Sequence, residues 1–376
     1  MKFNISSKTL YNYVSSVSKV INTKNTMQIL SNFLFTLDGD SLTVKAADME
    51  NFLEGRMMVT GAEGSGRFCL DARRLVELLK EMPDQGITFN INDDNYEVEI
   101  DYGTGRYKTM AINGLEYPDS QNPDSDTEKI EFTCSTEQVL KGIENTLFAV
   151  GNDQLRPQMM GILWDVKPEE LIFVATDTRK LVKYVNATTK PGVTCSFILP
   201  VKGAMVLKNV FGRDDEIKVT VRSTTSVMFE SESFTFDCRL IKGNFPDYNR
   251  VIPVTNPYIF TVDRSTFLNA VRRVAVFGDE GGGLVKFKFS TDEVTLRASD
   301  NSFGTSGWEQ VPCNYSGNDL LIGFGSEYLI EILSTFSTTD IVIKLADPSR
   351  PALCLPAENE PDCELLMILM PMNIID

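Results

Sequence analysis

The sequence predicts an α+β fold made of three tandem copies of one domain, each with two helices and several antiparallel strands. A strand that ends in a small residue and an aspartate, followed by a second strand, occurs three times along the chain. Two helical patterns accompany each occurrence at nearly constant distances. A repeat of roughly 125 residues is far longer than a solenoid unit, so the copies are predicted to be domains.

The repeated strand motif is centred on Asp48, Asp177 and Asp300, which lie 129 (177 − 48) and 123 (300 − 177) residues apart. The motif occupies segments 42–57, 171–185 and 294–308. Aspartate side chains accept hydrogen bonds from nearby backbone N–H groups and so favour turns. We therefore interpret these three aspartates as turn residues, because a catalytic carboxylate is rarely present three times in one chain.

An amphipathic helix is predicted before each strand motif, and a strand that runs into a second helix is predicted after it. The first helices are expected within 5–21, 134–150 and 262–277, where apolar residues recur at helical spacing. The strand–helix segments are 68–82, 197–211 and 321–336. A polar, proline-containing segment at 118–129 and another at 252–258 indicate linkers. They give predicted domains of 1–126, 127–255 and 256–376.

Composition excludes several classes of protein. The chain contains no histidine, which removes the commonest general base and the commonest metal ligand. Its seven cysteines are scattered without a CxxC pair, so we expect reduced thiols, a cytoplasmic location and no metal site. Neither an apolar leader nor a run of roughly 18 apolar residues occurs, so we expect no contact with a membrane.

The net charge of −16 gives no overall attraction for nucleic acid. Net charge does not describe a local surface, however, so basic residues gathered on particular helices could still contact DNA. Two other classes remain open at this point. One is a hydrolase that uses the repeated aspartates, and the other is a structural or adhesive repeat protein, which would be expected to have a secretion signal and paired cysteines.

The chain resembles the β subunit of bacterial DNA polymerase III, the β sliding clamp family, over its whole length. The resemblance is carried by the start MKF and by segments 26–32, 71–75, 174–181, 245–253, 322–324 and 370–372. It implies three copies of a DNA-clamp domain, closed by two chains into a head-to-tail ring dimer. It further implies a non-enzymatic protein without cofactors that encircles duplex DNA and slides on it.

The resemblance also implies basic residues that line the ring and meet phosphates without reading bases, since such contacts are independent of DNA sequence. On the predicted helices, and in the loop after the first one, these residues are Lys24, Arg73, Arg74, Lys202, Arg272 and Arg273. The sixth predicted helix departs from this trend, because it carries Glu327 and Glu331.

A cleft between the second and third domains is implied to bind a short peptide of the polymerase α subunit, the clamp loader and repair proteins. The matching positions are Met159, Thr176, Thr178, Arg179, Lys180, Leu181, Pro246, Arg250, Val251, Tyr328, Pro351, Ile368, Leu369, Met370, Pro371 and Met372. Thr176, Thr178, Arg179, Lys180 and Leu181 are expected in the loop after the central strand that ends at Asp177. Leu181, Val251, Ile368 and Met370 are expected to form apolar walls, with Arg250 at the rim.

Two features of the cleft segments depart from the family pattern. Family members often have Gly-His-Arg-Leu where this chain has Thr178, Arg179, Lys180 and Leu181. The tail also extends to Asp376, beyond the Met-Pro-Met sequence at 370–372. Both departures leave the preferred peptide open.

The resemblance places the seam between two chains at an edge strand of the third domain and an edge strand of the first. Val276 and Phe277 match the apolar positions of the seam, and Arg106 matches its basic side. The acidic residues often found opposite are mostly missing here, because segment 302–310 holds only Glu309. Phe303 and Trp308 in that segment indicate either a more apolar seam or residues of an outer sheet.

Overall fold

The computed structural model describes residues 1–22, 27–119, 129–212, 214–279 and 283–374. These residues form two compact units, one of Met1–Leu140 with Lys202–Leu240 and one of Lys141–Val201 with Ile241–Asp376. Over the described ranges, no helix is long and apolar enough to cross a membrane.

Six α-helices occur in the described chain, and each lies within one of the six predicted helical segments. They are α1 (Ser7–Val17), α2 (Ala72–Lys80), α3 (Thr136–Thr146), α4 (Val201–Val210), α5 (Arg264–Ala275) and α6 (Ser326–Thr335). Side-chain caps fix three of the helix starts, where Ser6, Asp71 and Asp263 accept hydrogen bonds from backbone N–H groups of the first turn.

The strands, numbered β1 to β27 in chain order, form one five-stranded and one nine-stranded sheet in the first unit. The five-stranded sheet has the order β5 (Thr60–Glu63), β1 (Lys2–Ser6), β7 (Gly86–Ile91), β8 (Glu97–Tyr102) and β9 (Gly105–Met110). The nine-stranded sheet has the order β10 (Ile112–Asn113), β6 (Gly66–Asp71), β2 (Asn32–Asp38), β3 (Ser41–Ala47), β4 (Asn51–Met58), β18 (Phe234–Arg239), β17 (Ser226–Glu230), β16 (Glu216–Ser223) and β11 (Ile130–Ser135).

The second unit contains a nine-stranded and a four-stranded sheet. The larger has the order β15 (Cys195–Pro200), β12 (Gly161–Lys167), β13 (Glu170–Thr176), β14 (Lys180–Asn186), β27 (Cys363–Leu369), β26 (Ala352–Pro356), β25 (Asp340–Leu345), β19 (Tyr258–Asp263) and β23 (Asn314–Ser316). The smaller has the order β22 (Thr305–Pro312), β21 (Glu293–Asp300), β20 (Leu284–Phe289) and β24 (Leu320–Gly325).

Both nine-stranded sheets continue across a predicted domain boundary. In the first unit β4 pairs with β18, with Leu53 opposite Phe236. In the second unit β14 pairs with β27, with Leu181 opposite Ile368. The predicted boundary at 126 lies outside the described residues, and the one at 255 lies between β18 and β19. Antiparallel pairing therefore joins each predicted domain to the next along the chain.

The three repeated aspartates are turn residues, as predicted. In each, one carboxylate oxygen accepts hydrogen bonds from the backbone N–H groups of the second and third residues that follow, which closes the turn. The donors and distances are Glu50 (3.1 Å) and Asn51 (2.8 Å) for Asp48, Arg179 and Lys180 (both 2.8 Å) for Asp177, and Ser302 (2.7 Å) and Phe303 (3.2 Å) for Asp300.

Candidate functional site

An apolar row crosses the larger sheet of the second unit, where the central and third predicted domains meet. Thr176 lies opposite Leu181, Leu181 opposite Ile368, and Ile368 opposite Leu353 on four neighbouring strands. Opposite residues of antiparallel strands point to the same face. The three apolar residues of the row belong to a buried group that we name the cleft cluster, formed by Leu163, Ile172, Val174, Leu181, Val185, Ile198, Tyr248, Leu353, Leu366 and Ile368.

The segment that follows β18 covers part of this cluster. Phe245 and Ile252 are partly buried against it, and Tyr248 is a buried member of it. The Tyr248 hydroxyl donates a 2.8 Å hydrogen bond to Oδ2 of Asp165 on β12. Burial and the Asp165 carboxylate raise the pKa of Tyr248, so this donor keeps its proton. The bond anchors the segment that carries Pro246, Arg250 and Val251.

Exposure distinguishes the floor of the site from its accessible edge. Leu181 is 5% exposed and Ile368 is 2% exposed, so both form a floor rather than the walls that were predicted. Val251, which is 48% exposed, and the half-buried Met159 and Met370 offer apolar surface that a peptide could reach. Met159 lies near the row, because Gly151 packs against the carbonyl oxygens of both Met159 and Thr176.

The rim of the site carries positive charge. The Arg250 side chain is 84% exposed, and its Nε lies 2.9 Å from Asp247 in an ion pair three residues apart. Arg179 is also exposed, in the turn between β13 and β14. Exposed ion pairs of this kind hold their partners weakly, so Arg250 remains available to an acidic group.

Three of the predicted cleft residues point to the opposite face of the sheet. Lys180 and Leu369 lie opposite each other on β14 and β27, at the positions next to Leu181 and Ile368. Because side chains alternate along a strand, Leu369 is fully buried in the core on the helix side. Tyr328 of α6 packs partly buried against that same core. Thr176 belongs to β13, and Lys180 and Leu181 belong to β14, which corrects the predicted loop to the residues 177–179.

Lys180 forms a charged network on this helix side, although only 5% of its side chain is exposed. Its Nζ lies 2.6 Å from Oδ2 of Asp177, 3.0 Å from Oε2 of Glu331 on α6, and 4.8 Å from the centre of the Tyr328 ring. Burial alone would lower the pKa of Lys180, but the hydrogen bonds to Asp177 and Glu331 outweigh it and raise the pKa. Lys180 therefore ties β14 to α6.

The chain tail is held by backbone hydrogen bonds. β27 ends at Leu369, as expected from Pro371. The Met370 N–H donates to the Arg179 carbonyl at 2.9 Å, and the Met372 N–H donates to the Gly323 carbonyl at 2.8 Å. Pro351 lies just beyond the last pair of the β26–β27 ladder, Ala352 opposite Leu369, at the end where the tail begins. The tail therefore passes along one end of the site.

The predicted DNA-facing residues differ in their freedom to meet a phosphate. Arg74 and Arg272 are exposed, the latter with one 3.2 Å hydrogen bond to Ser334. The Arg73 side chain is 86% exposed and pairs with Glu77 one helical turn away at 2.8 Å. Arg273 bonds both carboxylate oxygens of Glu309 on β22, and this hydrogen bonding raises its pKa. Lys24 lies outside the described residues.

Lys202 has its charge satisfied inside the protein. Its Nζ bonds Oδ2 of Asp48, the Val20 carbonyl at 2.6 Å and Oδ1 of Asn22 at 2.6 Å. The Asp48 side chain is only 5% exposed. This geometry argues against the predicted contact of Lys202 with phosphate, because moving the ammonium group would leave a buried carboxylate without its cation.

The residues predicted at the seam lie beside open strand edges. Val276 is 78% exposed and Phe277 is 43% exposed, and Phe277 packs on Gly307 of β22. Trp308, on that strand, is 66% exposed. Arg106 lies on β9 and pairs with Asp101 at 2.6 Å and with Glu99 at 3.7 Å. β9 and β22 are both outermost strands of their sheets.

Sequence reasoning missed the residues that build the site from beneath. Asp165 and Tyr248 form its anchor, and Glu331 completes the Lys180 network. Tyr248 was visible within segment 245–253, but its hydroxyl partner lies 83 residues away in sequence. The pairing of β12 with β15, and the bridge from Ile198 of β15 to Ile241, would be needed to find it. Within the described parts of the chain, no group of three acidic or cysteine side chains is placed to hold a metal.

Comparison with known proteins places these features in context. The chain matches the DNA polymerase III beta subunit over the N-terminal domain (residues 1–121), the central domain (133–247) and the C-terminal domain (249–373). It is 26% identical over 376 residues to the beta sliding clamp of Pseudomonas aeruginosa and 27% identical over 386 residues to that of Caulobacter vibrioides, with 100% of each chain covered.

Solved structures show the same correspondence. A sliding clamp from Pseudomonas aeruginosa bound to griselimycin is 25% identical and superposes with a TM-score of 0.92. A sliding clamp from Bartonella birtlesii, also bound to griselimycin, is 26% identical with a TM-score of 0.91. Both comparisons cover 100% of each chain.

Proposed function

The chain belongs to the DNA polymerase III beta subunit family and is a DNA sliding clamp, and from that premise we propose which of its surfaces encircle DNA, bind partners and close the ring. It is a non-catalytic processivity factor that tethers the replicative polymerase, the clamp loader and repair proteins to duplex DNA. The observation that carries this proposal is the match of all three domains over the full chain. A cytoplasmic location is part of the proposal.

Ring closure is supported by two edge strands, β9 and β22, whose counterparts elsewhere in the chain pair with each other. β18 begins 129 residues after β9 (234 − 105), and β27 begins 129 residues after β18 (363 − 234). Within the chain β18 pairs with β4 and β27 pairs with β14, whereas β9 has only β8 beside it in the described structure. β22, the counterpart of β4 and β14, has only β21. We place β22 of one subunit against β9 of the other.

The two open edges carry apolar side chains suited to this contact. Trp308 and Phe303 are 66% and 74% exposed at the β22 side, while Tyr107 and Met110 are 38% and 63% exposed on β9. Long apolar edge strands are normally covered. β22 of one subunit would meet β9 of the other, so the contact joins two different surfaces. Such a contact, repeated once, closes two copies into the two-fold ring dimer.

The partner site is the cleft cluster together with Met159, Val251 and Met370. A short extended peptide would place apolar side chains over the Leu181–Ile368 floor and an acidic or glutamine side chain near Arg250. The energy of such sites is concentrated in a few buried anchors. For the DNA-facing surface, Arg74 and Arg272 have the exposure required, with Lys24 as a further candidate.

Retention on circular DNA tests the whole proposal. Loaded protein is expected to stay on nicked circular DNA through gel filtration and to be lost when a restriction enzyme linearises the circle. Retention of the wild type should fall as the salt concentration rises, because phosphate contacts release counterions. The double variant Arg74→Glu with Arg272→Glu should lower retention and weaken this salt dependence, because it removes two such contacts. Equal retention on circular and linear DNA would show that the protein does not encircle the duplex.

A further inference from the structure

At each junction between domains within the chain, a turn aspartate forms an ion pair with a lysine. The third turn aspartate has no such cation among the described residues. At the first junction, Lys202 of α4 bonds Oδ2 of Asp48, the turn aspartate of the preceding domain. Lys202 is the second residue of α4. In the first domain the second residue of the matching helix α2 is Arg73, and in the third domain the second residue of α6 is Glu327.

The second junction follows the same rule with a changed donor. Here the helix position is occupied by Glu327, which cannot donate to a carboxylate. Oδ2 of Asp177 instead accepts from Nζ of Lys180 at 2.6 Å, and Lys180 reaches across to Glu331 of α6 at 3.0 Å. At both junctions within the chain, the second oxygen of the turn aspartate therefore holds a lysine that links the two domains that meet there.

The third turn aspartate lacks such a cation. Asp300 is only 7% exposed, and its Oδ1 accepts the N–H groups of Ser302 and Phe303. Among the residues that the structure describes, none donates to its Oδ2. Asp300 precedes β22, the strand whose edge is open. By the repeat, the group that should reach it is the second residue of a first-domain helix.

We propose that Arg73 of the partner subunit bonds Oδ2 of Asp300 across each seam of the ring, as Lys202 bonds Asp48 within the chain. The inference rests on the ring closure proposed above, and it assigns Arg73 to the seam rather than to the DNA-facing surface. The Arg73 side chain is 86% exposed, and among the described residues it forms an ion pair only with Glu77 of its own helix, so it is free to change partner. A guanidinium is also suited to a carboxylate that is already half satisfied by backbone donors.

The dimer dissociation constant, measured by sedimentation velocity or by exchange of fluorescently labelled subunits, tests the pair. Arg73→Gln and Asp300→Asn should each raise the dissociation constant by roughly tenfold or more, because each removes one partner of an interfacial charge pair in both seams. The double variant should be no weaker than either single variant, which is the signature of a direct pair. Arg74→Gln is the matched control, since it removes the same charge one residue away.

The possible outcomes separate this inference from the proposed ring. A wild-type protein that is monomeric at micromolar concentration would overturn the ring itself. A dimeric wild type with an unchanged dissociation constant in Arg73→Gln, or additive effects in the double variant, would overturn the pair and leave the ring intact. If Asp300→Asn folds poorly, Arg73→Gln alone still tests the pair, because the exposed Arg73 side chain is not part of the core.

Discussion

Lys202 Nζ donates hydrogen bonds to Oδ2 of Asp48 and to the Val20 carbonyl, so one ammonium group of α4 holds two separate segments of the first predicted domain. Asn22 provides a third acceptor at 2.6 Å. The pair is partly buried, with the two side chains 31% and 5% exposed. A charge pair in this setting is costly to break from one side only.

Replacing Lys202 with methionine is expected to lower the free energy of unfolding by about 2 kcal/mol, because Asp48 would remain buried without its cation. Lys80→Met, at the exposed end of α2, is the control and should stay within about 0.5 kcal/mol of wild type. Urea denaturation followed by circular dichroism measures both. Equal effects of the two substitutions would show that the Lys202 bonds contribute little.

Thr178 has φ = 78°, the left-handed backbone region that β-branched residues rarely adopt. Thr178→Gly is therefore expected to raise the free energy of unfolding by about 1 kcal/mol through relief of strain. Arg179→Gly, one residue further along the same turn, should lower it, since glycine there adds freedom to the unfolded chain without relieving strain. A destabilised Thr178→Gly protein would contradict this reasoning.

Lys180→Met is expected to destabilise the fold by about 3 kcal/mol, because Asp177 and Glu331 would face each other without a cation. The pKa of Lys180 is raised in the folded protein. Its contribution is therefore complete below the ordinary lysine pKa of about 10.4. It is lost only as the pH rises through the higher folded value. Thermal unfolding of both proteins between neutral and strongly alkaline pH should show the difference shrinking at the alkaline end.

Deleting residues 370–376 is expected to abolish binding of a peptide derived from the polymerase α subunit, measured by fluorescence anisotropy. The deletion removes Met370 from the accessible edge and two backbone hydrogen bonds from the tail. Those bonds contribute roughly 1–3 kcal/mol together, so the fold should survive. A protein truncated after Ile374 is the control. If the longer deletion also abolished the dimer, the tail would be structural rather than part of the site.

Phe277→Asp is expected to shift the protein toward monomer in light scattering, since it places a charge in an apolar seam. Phe277 packs on Gly307 of the open-edged strand β22. Val254→Asp provides the comparison, because Val254 is 98% exposed and lies on the linker before β19. A Phe277→Asp protein with the mass of the wild type would place the seam elsewhere.

Periodicity and repetition were enough to predict the six helices, the three strand pairs and the turn role of the aspartates. They do not determine which face of the sheet a side chain occupies when both faces are apolar. Ile368 and Leu369 are both apolar, so the sequence does not show which face of the sheet each occupies. Only the register of β27 against β14 assigns them to opposite faces. Likewise, the acceptors of Lys202 lie 154 to 182 residues away in sequence, so a basic residue at the start of a helix gave no sign of its partner.

The pairing of β4 with β18 and of β14 with β27 bears on how the protein can be dissected. Cutting at the predicted boundaries would remove the neighbour of both β18 and β14 and leave a central fragment with two newly bare strand edges. Such edges recruit strands from other chains. The excised fragment is therefore expected to aggregate during expression. Peptides that mimic β4 or β27 would be the natural caps to keep it in solution.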